Sequence, residues 1–198
     1  MRSAVIALVM LAQPELIERT LALVGGQPIT LSDARAATAL GLVGAGPPFD
    51  ALPLVTGLLV DRELMLREVQ RYAPPAPSEA AVDARLDGIR RRFPDAAAFN
   101  RALDGHGFTA ERLRAWLRDD LRTVAYLAQR FASASTPSDA EISTAYARSR
   151  AEFDNTGMNL ERATPVIRER LAGARRAELI SDWLSDLRRR TDVVILPQ

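Results

Sequence analysis

The run DVVIL at Asp192–Leu196 constrains the fold most, because it is a β-favouring segment closing a chain whose interior reads as helix. A lone strand leaves its backbone N–H and C=O groups unpaired, so it needs a partner. The other strand signals lie near the opposite end. Thr20–Thr30 reads TLALVGGQPIT, two short β-favouring runs flanking Gly25–Gly26, which is a hairpin turn signal. The expectation is a small sheet in which the two ends of the chain meet, with the last helix returning across an N-terminal helical bundle.

Between these strands the punctuation is that of helices. Ser32 or Asp33 is the expected cap of a short helix running to about Leu42, and Gly44–Pro48 reads as a loop. Asp50 is the expected cap of the next helix, with Pro53 in its first turn. Leu54, Leu58, Val60, Leu64, Met65 and Val69 recur at helical spacing opposite Arg and Glu, and Pro74, Pro75 and Pro77 stop the helix near Tyr72. Ser78 caps a helix to about Phe93, Pro94–Asp95 begins a shorter one that ends at Gly105–His106–Gly107, and Thr109 caps a long one through Phe131. Ser138 with Glu141 is a capping box opening a helix to about Phe153. Thr164–Pro165 reads as a cap followed by proline at the first helical position, starting the last helix, which runs to about Arg190.

Composition narrows the chemistry. With 47% hydrophobic and 26% charged residues, the chain is too apolar for disorder. All 26 basic residues are arginine, set among 25 acids, so no net field gathers nucleic acid or anionic lipid. Arg90–Arg92 and Arg188–Arg190 fall at expected helix C-termini, where cations complement the helix dipole. The absence of cysteine excludes disulfides, thiolate metal sites and a cysteine nucleophile. The one histidine, His106, lies between two glycines with no nucleophile motif to serve and reads as a turn residue. No cofactor or metal is implied, and no catalytic residue is assigned. At the N-terminus, Arg2 precedes an apolar run from Ala4 to Leu11, too short to span a bilayer and shaped like a secretory signal at residues 1–12, although Met10 is bulky for a cleavage site. A buried first helix or a misplaced start codon is the alternative.

The order of these pieces resembles the N-terminal domain of the SurA-type chaperones, also found in secreted parvulin-type isomerases. ALVGGQPITLSD from Ala22 is similar to that family's opening hairpin and first cap. LLVDRELMLREVQ from Leu58 to Gln70 is similar to its amphipathic second helix. PSEAAVDARLDGIRRRF, AFNRALDGHGFTAERLRAWLRDDL and YLAQRF follow in family order between Pro77 and Phe131. Thr136–Phe153 and Val166–Leu196 resemble its linker helix and returning helix and strand. In longer relatives a parvulin domain of about a hundred residues, an ordinary domain size, separates those last two. Here only Asp154–Thr164 stands in that place.

The resemblance implies a mainly α fold, a SurA N-domain-like (trigger-factor-C-like) bundle whose small sheet joins the N-terminal hairpin to the C-terminal strand. The helical domain would run over residues 13–153, a short loop over 154–164, and the returning helix and strand over 165–198. It implies an exported, periplasmic, ATP-independent chaperone without an isomerase site, whose partners are unfolded envelope or outer-membrane polypeptides. No nucleic acid and no integral membrane segment in the mature chain are expected, and oligomeric state stays open. Leu58, Met65, Phe93, Phe99 and Trp116, on helices expected to wall an apolar cradle, are the candidate client contacts, with core packing the alternative for each. Three other functions stay open: a helical subunit dedicated to one folded partner, a prolyl isomerase and, against the charge balance, a nucleic-acid binder.

Overall fold

A computed structural model describes residues 18–44 and 51–197. The expected signal segment, most of the loop at Gly44–Pro48 and the expected Asp50 cap lie outside the described residues. Among the described residues the order is β1 (Thr20–Val24), β2 (Gln27–Thr30), α1 (Leu31–Ala39), α2 (Leu52–Tyr72), α3 (Glu79–Arg90), α4 (Ala96–Asp104), α5 (Ala110–Arg130), α6 (Asp139–Arg148), α7 (Arg150–Asp154), α8 (Leu160–Arg190) and β3 (Val193–Ile195). The protein is therefore mainly helical with one small antiparallel sheet.

The sheet has the order β2-β1-β3, so the first strand of the chain lies between its hairpin partner and the last strand. Ala22, Leu23 and Val24 stand opposite Ile195, Val194 and Val193. Gly25 N–H donates to the Asp192 carbonyl at 2.7 Å and Leu196 N–H to the Leu21 carbonyl at 2.9 Å, closing both ends of that ladder. The hairpin turns through Gly25 and Gly26, both at positive φ (54° and 85°), which a two-residue hairpin loop with the native twist requires. A side chain on Gly25 would also meet the Arg67 guanidinium at 2.6 Å.

Among the described residues, three apolar clusters organise the helices. The first joins the sheet to α1, α2, the end of α5 and the end of α8 through Leu21, Val24, Val60, Leu64, Trp183 and Leu187. The second packs α1 against α3, α4 and the start of α5 through Leu40, Val82, Leu86, Phe99, Leu113 and Leu117. The third is a satellite in which Ile142 of α6 and Phe153 of α7 meet Ala163 and Ile167 of α8. At 31 residues, α8 is about 46 Å long at 1.5 Å per residue, and it carries the satellite on one half and closes the first core with the other.

Most expected caps are present. Ser78, Asp95, Thr109 and Ser138 each accept from a backbone N–H three residues on, and the Ser138–Glu141 capping box is complete. Four boundaries differ from expectation. The cap of α1 is Thr30, not Ser32 or Asp33; Asp33 is the third helical residue and returns the bond to the Thr30 N–H, so β2 passes into α1 without a loop and α1 ends at Ala39. The helix α3 ends at Arg90, because residues 91–93 turn to bring the Phe93 ring edge-on to Phe99. The segment 139–153 is two helices meeting at Ser149, a weak helix former. The bend lets Tyr146 stack on Phe153 with ring centroids 5.6 Å apart, whereas residues seven apart in a straight helix lie about 10 Å apart along the axis. Finally, α8 begins at Leu160 with Asn159 as its cap, so Pro165 lies inside the helix. Its ring costs only the one bond to Glu161 near the helix start, and the neighbouring Thr164 hydroxyl donates to the Leu160 carbonyl at 2.8 Å.

Candidate functional site

The structure does not bring the five sequence candidates into one cradle. Leu58 is 38% exposed on α2, one turn from the exposed Leu54. Met65 is half-buried against the first core. Phe93 is half-buried on the second core beside Phe99, and Phe99 is a core residue at 4% exposure. Trp116 packs against both cores where α5 crosses α2.

Trp116 nonetheless helps line a recess of about 160 Å³, together with Gln27, Pro28, Ile29 and Asp33 of the hairpin and α1, Leu59, Arg62 and Glu63 of α2, and Arg112. The Arg62 guanidinium stands 3.6 Å over the indole ring, and its Nε donates to Asp120 Oδ1 at 2.9 Å. Burial holds the Asp120 carboxyl above the usual carboxylate range even with Arg62 against it. Burial likewise raises Glu63, with Arg67 and Arg62 opposing. Arg112 bridges to Asp33 Oδ1 at 2.6 Å across the mouth. Such a recess is polar and tightly paired, which suits fixing α2, α5 and the hairpin together more than receiving a ligand.

A more open site forms where α2 and α5 end. The chain leaves α2 through Ala73, which adopts the left-handed conformation (φ 44°) and starts the proline segment. Tyr72, Ala73, Pro74 and Pro75 then face Tyr126, Gln129 and Arg130 of α5 across a groove of about 590 Å³. Tyr72 is 58% exposed and stacks on the buried Tyr126, ring centroids 5.6 Å apart. Tyr126 in turn packs on Trp183 of α8 at 6.1 Å, and Trp183 on Phe131 at 6.0 Å. The Arg130 guanidinium lies within 6 Å of the Tyr126, Phe131 and Trp183 rings and donates to the Tyr126 hydroxyl at 3.2 Å. Burial pushes the Tyr126 hydroxyl above its ordinary pKa, with Arg130 opposing. The result is an aromatic floor with prolines on one rim and the Arg130 and Gln129 donors on the other. The sequence reading singled out neither Tyr72 nor this groove. The available signals were a tyrosine two residues before a double proline and a Tyr–Arg pair four apart on α5.

A third, polar groove of about 970 Å³ runs between the hairpin turn, the last turns of α2 and the end of α8. Arg67 donates to the Val24 carbonyl at 3.3 Å, and Arg190 lies 3.5 Å from Glu68. Together with Arg188, paired to Asp61 at 2.7 Å, Arg190 ties α8 to α2. Two of the three arginines at the end of α8 thus hold the helix in place. His106 is half-buried in the turn after α4, its backbone N–H bonded to the Leu103 carbonyl. No helix among the described residues is long and apolar enough to cross a membrane.

Comparison with protein-family models and with curated proteins finds no match to this chain.

Proposed function

We propose that this protein is an ATP-independent chaperone of the SurA type, exported to the periplasm, that holds unfolded envelope or outer-membrane polypeptides and carries no isomerase module. The observation that supports it most is the groove at Tyr72, Pro74, Pro75, Tyr126 and Arg130. A single aromatic client side chain buries about 150–250 Å², and at about 25 cal/mol per Å² that is a gross gain of about 4–6 kcal/mol. Loss of translational and chain freedom takes back much of it, which leaves weak, reversible capture that needs no nucleotide to release. An aromatic floor selects residue type and not sequence, because any ring or aliphatic side chain stacks on it. Gln129 and Arg130 offer donors that any client backbone carbonyl can accept. Leu54 and Leu58 add a second exposed apolar strip on α2.

The polar groove supports a second reading, a subunit dedicated to one folded partner, because fixed charges at fixed places discriminate between partners. Aggregation suppression across several unrelated unfolded proteins separates the two. The chaperone reading expects all of them to be protected at near-stoichiometric ratios. Protection of none, or of a single protein, overturns it, and robust turnover of a prolyl-peptide substrate would put the isomerase reading in its place.

A further inference from the structure

The two edges of the sheet are chemically unequal. In an antiparallel pair, successive residues point their backbone groups alternately toward and away from the partner. Asp192 and Leu196 bond β1, so Val194 does too, and the N–H and C=O groups of Val193 and Ile195 point outward. Among the described residues those outward groups have no hydrogen-bond partner. On the opposite edge the outward positions of β2 are Pro28, which has no N–H, and Thr30, whose N–H is spent on Asp33 Oδ2 at 3.0 Å. One edge is closed by proline and a cap, as natural sheets close edges that must not pair. The other is open.

Side chains extend the asymmetry. Leu23 stands directly opposite both Pro28 and Val194, so Pro28, Leu23 and Val194 form one row across the outer face of the sheet. Val194 is 42% exposed, and Ile195, on the opposite face, is 55% exposed. A strand laid against β3 would continue that row while its backbone took the two free N–H and two free C=O groups. We infer that β3 is a strand-addition edge for an extended, apolar-alternating segment of a non-native polypeptide, which rests on the chaperone reading above and gives it a second, backbone-directed contact.

The dimensions favour that occupant over a second copy of the chain. Three residues span about 10 Å. Pairing β3 with itself would bury far less than the about 1,200 Å² of a specific stable interface. A short open edge instead suits transient capture of any chain that is locally extended, because main-chain bonds give affinity without reading sequence.

The test uses the full-length chain, ¹⁵N-labelled, and reduced, carboxymethylated α-lactalbumin as a permanently unfolded probe. The inference expects the Val193 and Ile195 amides to exchange freely alone and to slow when the probe is added. Ile195→Pro removes an outward N–H and spares the bonds of Val194 and Leu196 to β1. It should weaken probe binding about three- to tenfold, the worth of one backbone hydrogen bond, whereas Ile195→Ala, which keeps the N–H, should bind nearly as wild type. Binding of the probe with unchanged exchange at Val193 and Ile195 overturns strand addition and leaves the chaperone reading standing. Failure of the wild-type chain to bind the probe at all overturns both. Protection in the free protein that rises with its concentration assigns the edge to a second copy, and protection independent of concentration assigns it to another part of the same chain; either result overturns the inference.

Discussion

Replacing Trp183 tests whether α8 closes the front of the molecule. Trp183 is 7% exposed and packs on Tyr126 and Phe131 in the same core as Leu21 and Val24 of β1. Trp183→Ala removes a side chain whose loss from a core costs about 3–5 kcal/mol, a large share of the about 5–15 kcal/mol that holds a domain together. Trp183→Phe should behave differently. The indole Nε1 is buried and has no acceptor among the described residues, so the native state carries an unsatisfied donor. Removing it recovers about 1–3 kcal/mol of desolvation cost, which offsets the smaller ring and leaves a net change within about 1 kcal/mol. Urea unfolding followed by far-ultraviolet circular dichroism gives both values. Amide exchange at Leu21–Val24 locates the effect, because an undocked α8 would also release β3 from β1. A loss under about 1 kcal/mol for Trp183→Ala, or a larger loss with unchanged β1 exchange, would refute the docking.

Two further substitutions probe the charged contacts. Arg62→Leu strips the guanidinium from Asp120, whose carboxyl burial already holds above the ordinary range. With side chains 19% and 32% exposed, the loss at pH 7 should be about 1–3 kcal/mol, below the about 3–5 kcal/mol of a fully buried pair. A carboxyl whose folded pKa is raised binds its proton more tightly folded than unfolded, so this deficit should shrink as pH falls through that pKa; a deficit that grew on acidification in urea titrations would contradict the burial argument. Glu141 has the opposite sign: its bonds to the Ser138 N–H and hydroxyl and to Arg175 lower its pKa to about 2. Its contribution is present above about pH 4.5 and is lost as pH falls through about 2, so Glu141→Gln should speed amide exchange in α6 at pH 7 and match wild type below pH 2. Equal exchange at pH 7 would show that the Glu141 charge and its pairing with Arg175 do not hold the satellite, since glutamine keeps the capping acceptor.

Local chemistry made much of the fold legible. The Gly25–Gly26 turn, the caps at Ser78, Thr109 and Ser138 and the pairing need of DVVIL each depend on neighbouring residues or on one backbone rule, and each appears in the structure. The misread boundaries are those where a distant contact overrode a local signal. Thr164–Pro165 has the form of a helix start, but the satellite draws α8 back to Asn159 so that Ala163 can pack with Ile142 and Phe153. The site was less legible. Periodicity puts Phe99 and Trp116 on apolar faces but does not say which neighbour covers them, and Phe99 lies in the second core. Tyr72 escaped notice because its exposure arises from the way Ala73 and the prolines leave α2 beside α5, a relation between segments more than fifty positions apart.

The affinity of the wild-type chain and of Tyr72→Ser for an unfolded outer-membrane barrel, measured by fluorescence anisotropy, tests capture by the aromatic groove most directly. Tyr72 is 58% exposed but stacks on Tyr126, so the substitution should cost about 0.5–1.5 kcal/mol of stability and leave the protein folded. Loss of one stacking partner should weaken client binding about three- to tenfold, the range of an aromatic pair. An unchanged affinity in a folded Tyr72→Ser protein would contradict the account.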